Sequence, residues 1–213
     1  MEPRVESIFN ELFHRYAELS ACRDEIFDAY RTLVTCYDNN GKLLVCGNGG
    51  SASDADHIVG ELMKGFLLPR KIDAVYEGKL SMQFDDGTQL AAGLQKGLPA
   101  IALSAHSALL TAFCNDVSPD MVFAQQAFVY GRPEDVFMGL STSGNATNVV
   151  NAAKIADSLS LPRIGITGRN GGKLAPLCSC AIRLPEDETR KVQELTLPVY
   201  HVLCAMVESH FFG

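Results

Sequence analysis

Residues 41–66 read GKLLVCGNGGSASDADHIVGELMKGF, and their order decides the fold. A short apolar run from Leu43 to Cys46 closes on glycine, and residues 51–66 then take up helical periodicity after a Gly-Gly turn. Strand, glycine turn and helix make one half of a βα unit. The same stretch sets Gly47, Asn48, Gly49, Gly50, Ser51 and Ser53, all suited to an anion, directly ahead of a helix that carries His57 and Glu61. Four residues apart, those two side chains share one helix face.

The unit recurs along the chain. LPAIALS at 98–104 and EDVFMGLSTSGN at 134–145 read as strands entering turns, the second followed by the helical NVVNAAKIADSL. PRIGITGRNGG and CAIRLP supply two more strands, and residues 189–212 close the chain as a helix. Short strands alternating with helices predict an α/β three-layer sandwich, a mostly parallel central sheet flanked by helices. Upstream, Ile8, Leu12, Tyr16, Leu19, Ile26, Tyr30 and Leu33 fall at helical spacing, broken near ELSACRDE, so one long helix or two precede the sheet. The organisation expected is a single domain over 1–213, with a helical segment over about 1–38 and a long insertion at about 67–97. That insertion has weak periodicity and reads as a lid or interface excursion. Pro198, inside the last helix, removes a backbone donor and is expected to kink it.

Composition narrows the function. With 213 residues, 47% of them hydrophobic and 20% charged, the chain is long enough to bury roughly 70% of its unfolded surface. A net charge of -7 without a basic patch argues against nucleic acid or a membrane as the main partner. The opening MEPRVESIFNELF carries acids and no uninterrupted apolar run, which predicts neither signal peptide nor membrane span and a cytoplasmic location. Seven cysteines are an odd number, scattered and without metal-knuckle spacing, so reduced and mostly buried thiols are expected. CSC at 178–180 should point its two thiols to opposite sides of a strand.

In open parallel sheets, ligands sit beyond the carboxyl ends of the strands. Two loops there are rich in glycine and hydroxyls: residues 47–53, and Ser141, Thr142, Ser143, Gly144 and Asn145. Glycines let backbone N–H groups approach an anion, hydroxyls donate further bonds, and the helix dipole favours negative charge. Neither loop matches the nucleoside-triphosphatase P-loop. Gly47, Gly49 and Ala52 only loosely imitate the dinucleotide fingerprint, with no acidic residue where ribose recognition needs one, so no nucleotide cofactor is expected. Besides His57 and Glu61, the last helix offers Gln193 and His201, eight residues apart and thus about 80° apart around an ideal helix. Imidazole, carboxylate and amide oxygen together suit a divalent metal such as zinc, or an acid/base pair beside a carbonyl. Asn115 and Asp116 read either as a helix cap or as ligand contacts.

The order CGNGGSASDADHIVGEL, CND, STSGN, ITGRNGG and VQELTLPVYH resembles the sugar-isomerase (SIS) fold family and, within it, the phosphoheptose isomerases. The similarity runs from about residue 40 to the C-terminus. It implies isomerisation of sedoheptulose 7-phosphate to a mannoheptose 7-phosphate, with Ser141, Thr142 and Ser143 on the phosphate and Asn48, Gly49 and Ser51 contributing from the first loop. Asn115 and Asp116 belong to the sugar-binding stretch. The family's proposed base and acid fall on Glu61 and His201, and its zinc ligands on His57, Glu61, Gln193 and His201. A homotetramer with active sites shared between subunits is also implied. The chain departs from the pattern at Ala146, where the family's phosphate turn carries another serine, at His106 in place of an aspartate, at Thr196 in place of a histidine, and at Pro198. Two other functions stay open on the same fold, a non-catalytic phosphosugar-binding regulator and an isomerase of a different sugar phosphate.

Overall fold

A computed structural model describes residues 2–213. Five strands form one parallel sheet in the order β2-β1-β3-β4-β5: β1 (Leu43–Cys46), β2 (Ala100–Ala102), β3 (Val136–Ser141), β4 (Arg163–Thr167) and β5 (Cys180–Arg183). Every residue of β1 and β3 is buried, as strands covered on both faces must be. Consecutive side chains leave a strand on opposite faces. Leu43 and Val45 therefore join one core, while Leu44 and Cys46 join the other.

The first core lies under α1 (Pro3–Arg15), α2 (Arg23–Asp38), α3 (Gly50–Met63) and α9 (Thr189–Phe212). The second lies under α7 (Val122–Tyr130) and α8 (Thr147–Ser158). The N-terminal segment is thus two helices, separated by a tighter 3-10 turn at Ala17–Cys22. Leu12, Leu19, Ile26 and Leu33 are all buried, as their spacing requires. Cys178 precedes β5 and packs toward the second core, whereas Cys180 opens the strand and faces the first. All seven cysteines are free thiols.

One expectation needs correction. Residues 67–97 are not an irregular connection, since they contain α4 (Ala74–Gln83) and α5 (Gly87–Ala92), with an isolated antiparallel bridge between Lys71 and Gln95. The side chain of Asp73 caps α4 by accepting the Tyr76 N–H at 2.8 Å. α4 buries none of its residues, so packing against a core imposes no periodicity on its sequence. The helix α9 continues from Thr189 to Phe212 with Pro198 buried inside it.

Candidate active site

The strand order reverses at β1, which pairs with β2 on one side and β3 on the other. Connections leaving β1 and β3 therefore part over opposite faces, and the crevice between them is where open α/β sheets take ligands. Cys46 lies beside Gly139 in the parallel ladder, so both hydroxyl-rich loops emerge side by side at this crevice.

The first loop turns at Gly49, whose φ of 55° lies in the left-handed region, and then enters α3 directly. The Ser51 N–H closes the turn on the Asn48 carbonyl at 3.0 Å. In the second loop, Ser143 Oγ accepts the Asn145 N–H at 3.1 Å and Ser141 Oγ accepts that of Ala146 at 3.4 Å. Gly144 has φ 66°, and a Cβ there would collide with the backbone of Gly171 and Gly172. Asn48 and Asn148, at the start of α8, exchange reciprocal amide hydrogen bonds of 2.9 and 3.0 Å. That pair locks the two loops together, and Asn148 was not among the residues singled out from the sequence.

The third component stands at the far end of α3. Glu61 is buried, and one carboxylate oxygen bonds His57 Nε2 at 3.1 Å while the other accepts from Lys64 Nζ at 3.1 Å. His201, on α9, brings its ring centroid to 5.0 Å from that of His57. Its Nε2 is buried without a hydrogen-bond partner. Burial, reinforced by the neighbouring His57 and opposed by Glu61, lowers the His201 pKa below its ordinary value, which keeps the ring neutral near pH 7. Gln193 reaches the first loop from the same helix, since a Cβ on Gly50 would come within 2.7 Å of its Nε2. A cavity of about 510 Å³ between α1 and α9, lined in part by Arg15, Phe66 and Leu197, opens onto His201. A groove of about 610 Å³ lies instead at the amino ends of the strands, beside α2, and holds none of the predicted site residues.

Four further side chains support this cluster. Arg70 is wholly buried and donates to the carbonyls of Leu62 at 2.6 Å and Glu61 at 3.1 Å, and to the Glu208 carboxylate at 2.8 Å. Glu208 also accepts the N–H groups of Phe66, Leu67 and Leu68. The pair ties the end of α3 to α9 two turns beyond His201. Burial works to raise the Glu208 pKa, but those backbone donors and the guanidinium outweigh it and hold the carboxyl below its usual range. Tyr200 bonds His57 Nδ1 at 2.9 Å through its hydroxyl, and the Asp54 carboxylate stands nearby. Burial raises the pKa of both groups, and for Tyr200 the adjacent Asp54 carboxylate adds to the effect. Asp54 stands three residues before His57 on one helix face, a spacing that could have flagged it.

His57, Glu61 and His201 are thus brought together, and Gln193 stands beside Gly50 at the first loop. Asn115 and Asp116 sit exposed at the C-terminal end of α6 (Ser107–Asp116), bonded to each other at 2.8 Å. His106 precedes the same helix with its Nε2 3.5 Å from the Tyr130 hydroxyl. Among the described residues, no three His, Cys, Asp or Glu side chains stand in metal-ligating geometry. The donor types nevertheless fit a divalent cation. His57 and Glu61 on α3 and His201 on α9 lie near one another, and the His201 nitrogen is buried without a partner, while the Gln193 amide stands by Gly50 at the start of α3.

Two anion-suited loops lie at the switch point of a parallel sheet, with a carboxylate and two imidazoles one helix length away, the architecture of an α/β protein with a ligand crevice at the carboxyl ends of its strands. The SIS domain pattern matches residues 90–206. The phosphoheptose isomerase of Helicobacter pylori strain P12 is 37% identical over 193 residues, covering 91% of this chain and 88% of that one. That of Helicobacter hepaticus is 36% identical, with 98% of this chain and 94% of the relative covered. The solved structure of phosphoheptose isomerase GmhA from Neisseria gonorrhoeae superposes with a TM-score of 0.73 at 31% identity, over 97% of each chain. The chain belongs to the SIS domain family and, within it, to the phosphoheptose isomerases.

Proposed function

We propose that this chain converts sedoheptulose 7-phosphate to D-glycero-D-manno-heptose 7-phosphate through an enediol. The observation that carries this reading is the buried Glu61 carboxylate beside a neutral, unpaired His201 at the far end of the helix that begins in the phosphate loop. Ser141, Thr142, Ser143, the backbone donors of Asn48 and Gly49 and the Ser51 hydroxyl hold the phosphate. Glu61 takes a proton from C1 of the ketose while O2 gains one, which gives the enediol. The O1 proton then leaves and Glu61 returns its proton to C2, leaving the aldehyde. His201 carries the oxygen-bound proton at Nε2, and its neutrality suits it to both halves of that exchange.

A zinc ion held by His57, Glu61, Gln193 and His201 belongs to the same reading, and when bound such an ion polarises a carbonyl as a Lewis acid. So does a homotetramer with shared sites. Support comes from α4 and α6, neither of which buries a residue, and from exposed apolar side chains such as Val75, Met82 and Val117. Among the described residues no helix is long and apolar enough to cross a membrane, and a cytoplasmic enzyme is the corresponding proposal.

The test is proton NMR of the purified chain with sedoheptulose 7-phosphate in deuterated water. An aldose signal is expected, with solvent deuterium entering C2 as the proton on Glu61 exchanges during the enediol stage. Binding of the sugar without turnover would overturn the catalytic reading.

A further inference from the structure

The ITGRNGG stretch takes no part in the steps above, yet it walls the turn assigned to phosphate. It leaves β4, whose last residue Thr167 pairs with Ser141 of β3, so the two loops start side by side at the carboxyl edge. Three hydrogen bonds then stitch them together. The Gly168 N–H donates to the Thr142 carbonyl at 2.9 Å, the Lys173 N–H to Asn145 Oδ1 at 3.1 Å and the Leu174 N–H to the Gly144 carbonyl at 2.9 Å. Gly172 takes a left-handed φ of 54°, and a Cβ on it would fall 2.5 Å from the Ser143 carbonyl oxygen. Glycine alone lets the chain lie that close. The backbone of Lys173 is thereby fixed against the serine turn.

Charge explains what a lysine does there. Neither anion-suited loop, 47–53 or 141–147, contains a lysine or arginine, Asp54 and Asp56 follow the first one, and the chain carries a net -7. A phosphate entering the crevice meets hydroxyls and backbone N–H groups but no full positive charge from those loops. Nearby, Arg169 pairs with Asp187 at 3.2 Å, and Arg190 and Lys191 pair with Glu188. Lys173 is exposed and makes no ion pair among the described residues. Its ammonium is a compact charge with three donors on a flexible four-carbon stem. Arg183 is unpaired as well, but it ends β5, two strands and so roughly 10 Å across the sheet from Ser141.

We propose that Lys173 supplies the positive charge of the phosphate site, binding the phosphoryl oxygens of the sugar held by Ser141, Thr142 and Ser143. The inference rests on the reading of that turn as the phosphate anchor and deepens it by naming the counter-charge. Charge-assisted bonds of this kind are about twice as strong as neutral ones.

Lys173→Met in the full chain tests it, with Lys173→Arg as the conservative variant and Arg183→Met as the measure of long-range field alone. Lys173→Met should raise KM for sedoheptulose 7-phosphate about ten-fold or more, while kcat changes far less. Lys173→Arg should recover most of that loss, and Arg183→Met should weaken binding less than about three-fold. Binding of inorganic phosphate, read by calorimetry at low salt, should weaken in Lys173→Met as KM does, and its dependence on ionic strength should flatten. An unchanged KM, equal losses at 173 and 183, no recovery with arginine, or a loss confined to kcat would each overturn the proposal. Weakening by Ser143→Ala without weakening by Lys173→Met would leave the anchor standing and remove the lysine. Should the native chain fail to turn over the heptulose phosphate, the isomerase reading falls alone. The inorganic phosphate titration still decides this one, and equal affinity in the native and Lys173→Met chains would refute it.

Discussion

Replacing Arg70 with methionine probes what holds Glu61 and His201 in register. The methionine keeps much of the arginine stem and removes the guanidinium, whose side chain is 0% exposed against 1% for Glu208. Three things are lost at once: the ion pair at 2.8 Å and the donors to the carbonyls of Leu62 and Glu61. Breaking a buried pair from one side costs about 3–5 kcal/mol, because the surviving carboxylate is left without its counter-charge. At 2–4 °C per kcal/mol for a chain of this size, the melting temperature should fall by roughly 6–20 °C at fixed protein concentration. Turnover should fall as well, since the end of α3 that carries Glu61 is no longer tied to the helix that carries His201.

The pH dependence carries a sign. The folded-state pKa of Glu208 is depressed, so its contribution is fully present above the ordinary value of 4.5 and is lost as pH falls below it. The gap between native and Arg70→Met chains should therefore narrow below pH 4.5. Thermal melts by circular dichroism from pH 7 down to pH 4 measure it. A cost under about 1 kcal/mol at pH 7 would refute the claim that this pair clamps α3 to α9.

Glu61→Gln should abolish turnover while phosphosugar binding by calorimetry persists; unaltered turnover removes Glu61 as base. Ser143→Ala should weaken a phosphorylated sugar by about ten-fold or more, the worth of one bond to a charged group, and leave an unphosphorylated sugar unaffected. Gly144→Ala meets both a φ of 66° and the backbone of Gly171, so a loss of at least about 2 kcal/mol is expected in a urea titration. Burial pushes the thiols of Cys22, Cys36, Cys178, Cys180 and Cys204 up to about 12 and that of Cys46 further, whereas Cys114 is exposed. A thiol-reactive dye should therefore leave those six thiols unlabelled in the native chain and reach them all after unfolding, and peptide mass mapping checks the positions.

Much of the sheet was legible because a strand covered on both faces leaves a continuous apolar run, as in Leu43–Cys46 and Val136–Ser141, with glycine or a hydroxyl residue at its end. The helix pair at 74–92 was not, because α4 packs no side chain into a core and rests on local capping by Asp73. For the site, His57 and Glu61 announced themselves by sharing a helix face. Gln193 and His201 sit too far around an ideal helix for spacing alone to join them, and the resemblance supplied that link. The residues missed, Asn148, Arg70, Tyr200 and Glu208, act on partners distant in sequence, and local pattern carries no trace of such pairs. Tyr200 and Glu208 look like ordinary members of an apolar helix until their neighbours from α3 and the 66–70 segment are in place.

The helix that starts in the phosphate loop and ends at Glu61 also works as a gauge. At 1.5 Å per residue, about 16 Å of axis separates Gly50 from Glu61. Its calibration is stepwise. Adding or removing one residue would shift Glu61 by only about 1.5 Å along the axis but swing it about 100° around it, away from His201. Only changes near a whole turn, about 5.4 Å, keep the carboxylate on the working face. The reach between the proposed phosphate anchor and the proposed base thus comes in coarse increments, and finer adjustment to a sugar of another length must come from the loops.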